Sequence, residues 1–288
     1  MIRKAVIPAA GFGTRFLPAT KSQPKEMLTV VDTPTIQYVV EEAVASGITD
    51  ILMVIGKSKR AIEEHFDRNF ELENELRDKG KKKDLEAMRR ISSMANIHFV
   101  WQKELLGLGD AVRHARDHVG AEPFAVLLGD TIIESDRPVT LQLMEAYDRS
   151  GEPVVALEEV ERSKVSRYGV IKGEQVEDGH YRIADFIEKP TVKEAPSNLA
   201  IAGRYVFTAE IFDYIDRTPA GKNGEIQLTD AMRLMAAARA MRGLRFNGRR
   251  YDIGNKLDFI KTNVLFGLKH HELSAELREF IKGLAKES

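Results

Sequence analysis

Two apolar, β-branched runs bracket a helical stretch near the N-terminus, and this alternation limits the chain to α/β architectures. Ala5-Val6-Ile7 reads as a buried strand. Thr35 to Gly47 has helical spacing, starts after Pro34 and ends on a C-cap glycine; Ile51 to Ile55 reads as a second buried strand. Strand, helix and strand in that order imply a parallel sheet with a right-handed crossover.

The link between the first strand and the helix is the most informative stretch. Ala9-Ala10-Gly11-Phe12-Gly13 lets the backbone come close to a ligand, and Thr14-Arg15 and Pro24-Lys25 follow. Backbone N–H groups left unpaired after a strand suit phosphate oxygens, and Arg15 and Lys25 add charge where a polyphosphate would lie. Alone, such a turn is an ordinary β-turn-α connection carrying two surface cations, so its meaning rests on the rest of the chain.

Residues from about 58 to 94 are strongly charged with helical spacing, and Asp78 to Lys83 forms a solvated break. Interleaved acids make this a mixed exposed face, not a nucleic-acid patch. Ile97 to Trp101 reads as a third strand, followed by Gln102, then Gly107 and Gly109 ahead of a helix over Ala111 to His118. Gln102 supplies an amide that can both donate and accept. Phe124 to Leu128 is the most apolar strand and stops at Gly129-Asp130, where open α/β sheets bind ligands. Asp136-Arg137-Pro138 then opens a helix through Tyr147.

From about Gly151 the pattern shifts to short strands at Val154 to Leu157, Tyr168 to Ile171, Tyr181 to Glu188 and Ala200 to Phe207, with a hairpin loop over Val176 to Tyr181. These are expected to lay a mixed or antiparallel sheet beside the parallel one, as a substrate lobe or an extension of it. Gly169 and Gly203 fall inside strands, where glycine often marks contact with a ligand, and Glu188-Lys189-Pro190 brings a carboxylate and a cation out together. A helix is expected over Ala231 to Arg242. Arg249 to Gly254 reads as a strand end with an acid-glycine turn at Asp252, and 256–288 reads as two amphipathic helices.

The 288 residues suit one large α/β domain or two small ones, with ample length for a core; the pattern divides them into 1–150 with its charged helical insert, 151–255, and helices over 256–288. Lys plus Arg (43) and Asp plus Glu (44) nearly cancel, so no global field draws the chain to nucleic acid or membranes. There is no cysteine, which excludes disulfide and thiolate chemistry and fits a reducing cytoplasm. No apolar run approaches the roughly 18 residues of a membrane span, and the early first strand leaves no room for a signal peptide. A cytoplasmic protein is expected. Gly56-Lys57-Ser58 is not the end of a Walker A loop, because Ile51 stands where the first glycine must be. A dinucleotide-binding dehydrogenase is disfavoured too, since the third glycine position of G-x-G-x-x-G is Phe16.

Gly11-x-Gly13-Thr14-Arg15-x-x-Pro18-x-Thr20 with Pro24-Lys25-Glu26-Met27-Leu28 resembles the signature of the sugar-1-phosphate nucleotidyltransferases. Ile36 to Ala43, Gly107-Leu108-Gly109-Asp110-Ala111-Val112, Glu188-Lys189-Pro190 and Gly224 to Asp230 extend the resemblance nearly end to end. The insert at 58–94 is similar to the branch of that family that joins UTP to glucose 1-phosphate. Phe12 and Ser22-Gln23 depart from the family pattern.

The resemblance implies a Rossmann-like α/β/α fold with a mixed, mainly parallel sheet, an added sugar-binding β region and C-terminal helices. It implies a Mg²⁺-dependent enzyme making UDP-glucose and pyrophosphate, and a homo-oligomer, dimer or tetramer. Carried over by position, it places Arg15 and Lys25 on the triphosphate and Ala10, Gly11 and Gly13 around the nucleotide. Gln102 and Gly107 fall on uracil, Asp130 and Asp252 on the metal, Gly169, Glu188 and Gly203 at the glucose hydroxyls, and Lys189 on the sugar phosphate. A non-catalytic sensor of nucleotide sugars is disfavoured by retention of Arg15, Lys25, Asp130 and Lys189. The same chemistry on dTTP or another hexose phosphate stays open.

Overall fold

In the computed structural model, which describes residues 2–221 and 224–287, the first half contains β1 (Lys4–Ala9), β2 (Thr29–Val30), β3 (Thr33–Pro34), α1 (Thr35–Ala45) and β4 (Asp50–Ile55). The charged insert forms α2 (Arg60–Phe66), α3 (Phe70–Asp78) and α4 (Lys82–Ser93). Then come β5 (Asn96–Trp101), α5 (Leu108–Arg113), α6 (Arg116–Val119), β6 (Phe124–Leu127), β7 (Thr131–Glu134) and α7 (Val139–Ser150). The second half holds β8 (Val154–Glu159), β9 (Gly169–Glu177), β10 (His180–Glu188), β11 (Leu199–Phe207), α8 (Ile211–Arg217), α9 (Leu228–Ala238), β12 (Arg242–Arg245) and β13 (Arg249–Asp252). It ends in α10 (Lys256–Gly267) and α11 (Ser274–Glu287).

One nine-stranded sheet runs through both halves, in the order β5-β4-β1-β6-β11-β8-β12-β10-β9. Its first four strands are parallel, and β11 then joins β6 antiparallel. The second half therefore extends the first sheet instead of forming a separate one. At its far end the sheet curls: β9 pairs with β10 along its length and returns to touch β11 at Ala200↔Val170. Chain order reverses between β1, which crosses over to β4, and β6 on its other side. That reversal leaves a crevice at the carboxyl ends of both strands.

Strand periodicity explains the layers. Ala5, Ile7 and Ala9 of β1, with Ile51, Met53 and Ile55 of β4, face Ile36, Val39, Val40 and Ala43 of α1 and Leu143 of α7. Val6, Leu52 and Val54 point the other way, onto Ala111 and Val112 of α5, Phe212 and Ile215 of α8 and Met232 and Met235 of α9. Helices thus cover both faces, and each fully buried aliphatic side chain contributes about 1.5–3 kcal/mol.

Several boundaries differ from expectation. The helix expected over Ala111 to His118 starts earlier, at Leu108, and breaks into α5 and α6 at His114-Ala115, where the His114 ring Nδ1 bonds the Asp110 carbonyl at 2.9 Å. The helix expected to reach Arg242 stops at Ala238, because Arg242 donates its N–H to Pro153 O (2.8 Å) and opens β12 alongside β8. Four further strands, β2, β3, β7 and β12, and the short helix α8 carry too little local pattern to be read from sequence.

Candidate active site

The crevice opens into a cleft of about 620 Å³. It is lined by every position singled out from the sequence: Ala10, Gly11, Gly13, Arg15, Lys25, Gln102, Gly107, Asp130, Gly169, Glu188, Lys189, Gly203 and Asp252.

Along the first wall, β1 feeds Ala10 to Gly13. Gly13 has φ 66, and a Cβ there would stand 2.9 Å from the Lys25 Cβ, so only glycine lets the turn close over Lys25. Thr20 Oγ1 donates to Gly13 O at 2.8 Å and ties the turn to the loop that carries the lysine.

Lys25 Nζ meets Asp130 Oδ2 at 2.5 Å and lies 3.9 Å from Glu26 Oε1. Burial pushes the Lys25 ammonium down, but the Asp130 and Glu26 carboxylates outweigh it and hold it above its ordinary value. Burial likewise pushes the Asp130 carboxyl up, and Lys25, by charge and hydrogen bond, more than reverses that. Both groups are therefore charged near neutral pH. Behind them lies a second pair, Lys59 Nζ to Glu26 Oε2 at 2.7 Å, with both side chains buried. Here burial dominates, pushing Glu26 up and Lys59 down.

Asp252 reaches the same place from a distant part of the chain. β13 pairs antiparallel with β7, and Asp252 falls opposite Thr131, the residue after Asp130. Tyr168 Oη donates to Asp252 Oδ2 and the Gly254 N–H to Oδ1, each at 2.9 Å. Arg15 Nη1 donates to Gly254 O at 3.2 Å, which binds the opening motif to the β13 turn. Among the described residues no set of three or more His, Cys, Asp or Glu could hold a metal by itself. Asp130 and Asp252 both line the cleft, and one or two carboxylates can hold a divalent ion such as Mg²⁺ when waters and phosphate oxygens complete its shell.

The opposite wall comes from β9, β10 and β11. Glu188 stands opposite Gly169 in the β9–β10 register, accepts from Thr229 Oγ1 at 2.7 Å and pairs with Lys189 Nζ at 2.9 Å. Lys189 itself has φ 44, a left-handed backbone that a lysine adopts at a cost of about 1–3 kcal/mol. Its N–H is held by Tyr168 O at 3.1 Å. Gly203, also at positive φ, lies in the irregular stretch of β11 between Ile201 and Tyr205 and turns the wall inward.

At the third side, Gln102 and Gly107 meet. Gly107 has φ 98, and a Cβ there would lie 2.7 Å from Ile226 O. Close approach lets the backbone clasp: Gly109 N donates to Ile226 O (2.8 Å) and Ile226 N to Leu106 O (2.7 Å). Gln102 Nε2 donates to Gly107 O at 3.2 Å.

Sequence reasoning passed over several residues of this cleft. Glu26, Thr229 and Arg250 sat inside quoted motifs without a role. Arg250 pairs with Glu158 (2.6 Å) and stacks over the Tyr168 ring at 4.3 Å, bracing the tyrosine that holds Asp252. Lys59 and Arg167 gave no local signal.

An α/β sheet that opens its switch point onto fixed cations and carboxylates has the architecture of a nucleotide-handling enzyme. The model of the nucleotidyl transferase family matches residues 4–266, and the chain belongs to that family. It is 53% identical over 283 residues to a UTP–glucose-1-phosphate uridylyltransferase of Staphylococcus epidermidis, covering 98% of both chains. It is 50% identical over 283 residues to that of Bacillus subtilis, covering 98% of this chain and 97% of the other. Among solved structures it is similar to a UDP-glucose pyrophosphorylase complexed with UDP-glucose, with TM-score 0.87, 43% identity and coverage of 94% and 100%. It is also similar to the UTP-bound enzyme of Acinetobacter baumannii, with TM-score 0.91, 41% identity and coverage of 98% and 99%. No helix among the described residues is long and apolar enough to cross a membrane.

Proposed function

We propose that this nucleotidyltransferase moves a uridylyl group from UTP to glucose 1-phosphate, giving UDP-glucose and pyrophosphate. The observation that carries the reading is the pairing of two cation–carboxylate sites in one cleft, Lys25–Asp130 on one wall and Lys189–Glu188 on the other. The named substrates of relatives at 50% identity and above support it.

A sugar phosphate oxygen attacks the α-phosphorus, and the bond from that phosphorus to the β-bridging oxygen breaks as pyrophosphate leaves. The nucleophile is already ionised at neutral pH, since the second phosphate pKa is about 6, so no general base is needed. What remains is to align two repelling anions and to neutralise the charge that builds on the leaving group. Arg15 and Lys25 hold the triphosphate, with the amides of Ala10 to Gly13 around it. Lys189 holds the attacking phosphate, and Glu188 takes glucose hydroxyls beside Gly169 and Gly203. Gln102 and Gly107 meet uracil. Asp130 and Asp252 would hold Mg²⁺, which supplies further charge neutralisation on the phosphates. A cytoplasmic location and a homo-oligomer accord with this activity.

A pyrophosphate-release assay across four nucleoside triphosphates and several sugar phosphates tests the reading. Highest turnover with UTP and glucose 1-phosphate is expected; no release with that pair at saturating Mg²⁺ would overturn it.

A further inference from the structure

Gln102 is 4% exposed, and its side chain is not free to choose its direction. Its Nε2 faces two acceptors at once, Gly107 O at 3.2 Å and Asp110 Oδ2 at 2.8 Å. A backbone carbonyl and a carboxylate can only accept, so the group between them must be the NH₂ with both its protons engaged. That leaves the carbonyl oxygen as the one hydrogen-bonding group of the amide turned to the cleft, and among the described residues nothing donates to it.

The constraint comes from Asp110. It is 1% exposed, and its other oxygen, Oδ1, takes a hydrogen bond from the Arg113 guanidinium. Its helix is fixed by the backbone clasp of Gly109 on Ile226. With alanine at 110 the amide would have only Gly107 O to orient it; asparagine has a single acceptor oxygen, which the Arg113 guanidinium claims, and would turn its own NH₂ to Gln102. In both cases rotation of Gln102 by half a turn would present an NH₂ to the cleft.

We propose that Asp110 is a positioning residue that fixes Gln102 as an acceptor and thereby selects bases with an N–H at position 3. This rests on the assignment of the base to Gln102 above. Uracil and thymine carry that N3–H; cytosine carries a lone pair there, which meets the carbonyl oxygen head-on. A buried site built to hydrogen-bond one edge rejects the mismatched edge strongly, because neither polar group finds a partner. Asp110 does not sense the 5-methyl group, so it cannot separate UTP from dTTP.

The test is kcat/KM for UTP, dTTP and CTP in the wild type, Asp110→Asn and Asp110→Ala, with folding checked by thermal unfolding. The wild type is expected to favour UTP over CTP by at least about a hundredfold. In either variant that ratio should fall at least about tenfold, through a higher KM for UTP and a lower one for CTP, while the UTP to dTTP ratio stays unchanged. A uniform loss with all three nucleotides, leaving the UTP to CTP ratio where it was, would reduce Asp110 to a structural role and overturn the proposal. If neither variant folds, Asp110→Ser, whose hydroxyl can both donate and accept, is read by the same two outcomes, and CTP used by the wild type within tenfold of UTP overturns the proposal outright. A wild type inactive with UTP but active with another nucleotide would instead sink the base assignment beneath it.

Discussion

The two cation–carboxylate pairs that face each other across the cleft are preset in different ways. Lys25 and Asp130, with side chains 24% and 29% exposed, sit at the switch point of the parallel sheet and are backed by the buried Glu26–Lys59 pair. Their charge is held by neighbouring charge in a partly dry setting, where Coulomb terms are strong. Lys189 is 53% exposed and, among the described residues, pairs with Glu188 alone; its place is held by backbone conformation, through the positive φ at the end of β10. One wall stores its preparation as electrostatics and the other as strain. The difference suits their proposed loads, since a triphosphate brings more charge than a sugar monophosphate.

The contrast can be broken most sharply behind the first pair. Lys59→Met leaves the buried Glu26 carboxylate with only the longer contact to Lys25 and is expected to lower stability by about 2–4 kcal/mol in denaturant unfolding. A loss below about 1 kcal/mol would mean that the pair behind Lys25 is no electrostatic foundation. Next in size, Lys25→Ala should cut kcat by about 10²–10³-fold in pyrophosphate release while the protein still folds, with a modest loss of stability because Asp130 loses its partner. Near-normal turnover would remove Lys25 from the chemistry.

Lys189 should respond differently. Lys189→Ala is expected to raise KM for glucose 1-phosphate by about 10–100-fold, about 1.4–2.7 kcal/mol, with a smaller change in kcat. Lys189→Gly should lose the same affinity yet gain about 1 kcal/mol in stability over the alanine variant, because glycine accepts the left-handed backbone freely. Equal stability for the two would show that the strain is not there.

The smallest effect is in pH. The folded value of Asp130 is depressed, so its contribution to stability is present above the unfolded value near 4 and is lost as pH falls through the folded one. The stability gap between wild type and Asp130→Asn should be flat through neutral pH and close in acid. A gap that widens in acid would contradict the Lys25–Asp130 pairing.

Much of the first wall was legible because its signals are local. A β-branched run, a glycine turn and an acid at a strand end each report on a few consecutive residues, and Lys25 and Asp130 were found that way. From its own residues Asp252 read as an acid-glycine turn, and only the resemblance put it on the metal; what brings it close to Asp130 is the β13–β7 pairing, and β7 is too short to announce itself. Lys59 was read as part of a charged, solvated insert, yet it is buried against Glu26, a contact across 33 positions that no local pattern encodes. Asp110 was quoted inside a motif, but its hold on Gln102 depends on a glycine loop closing onto Ile226 from far along the chain.

By itself the sequence determined the α/β class, an acid at the end of a buried strand where such sheets bind ligands, and the residue types that line the cleft, because strand and helix periodicities and glycine turns are set by neighbours in the chain. The tertiary structure alone decided that the second half continues the same sheet, that two distant aspartates become neighbours, and that a buried amide shows only its acceptor. Those outcomes depend on strand pairing and burial between segments far apart in sequence, where the partner, not the local residue, sets the energy.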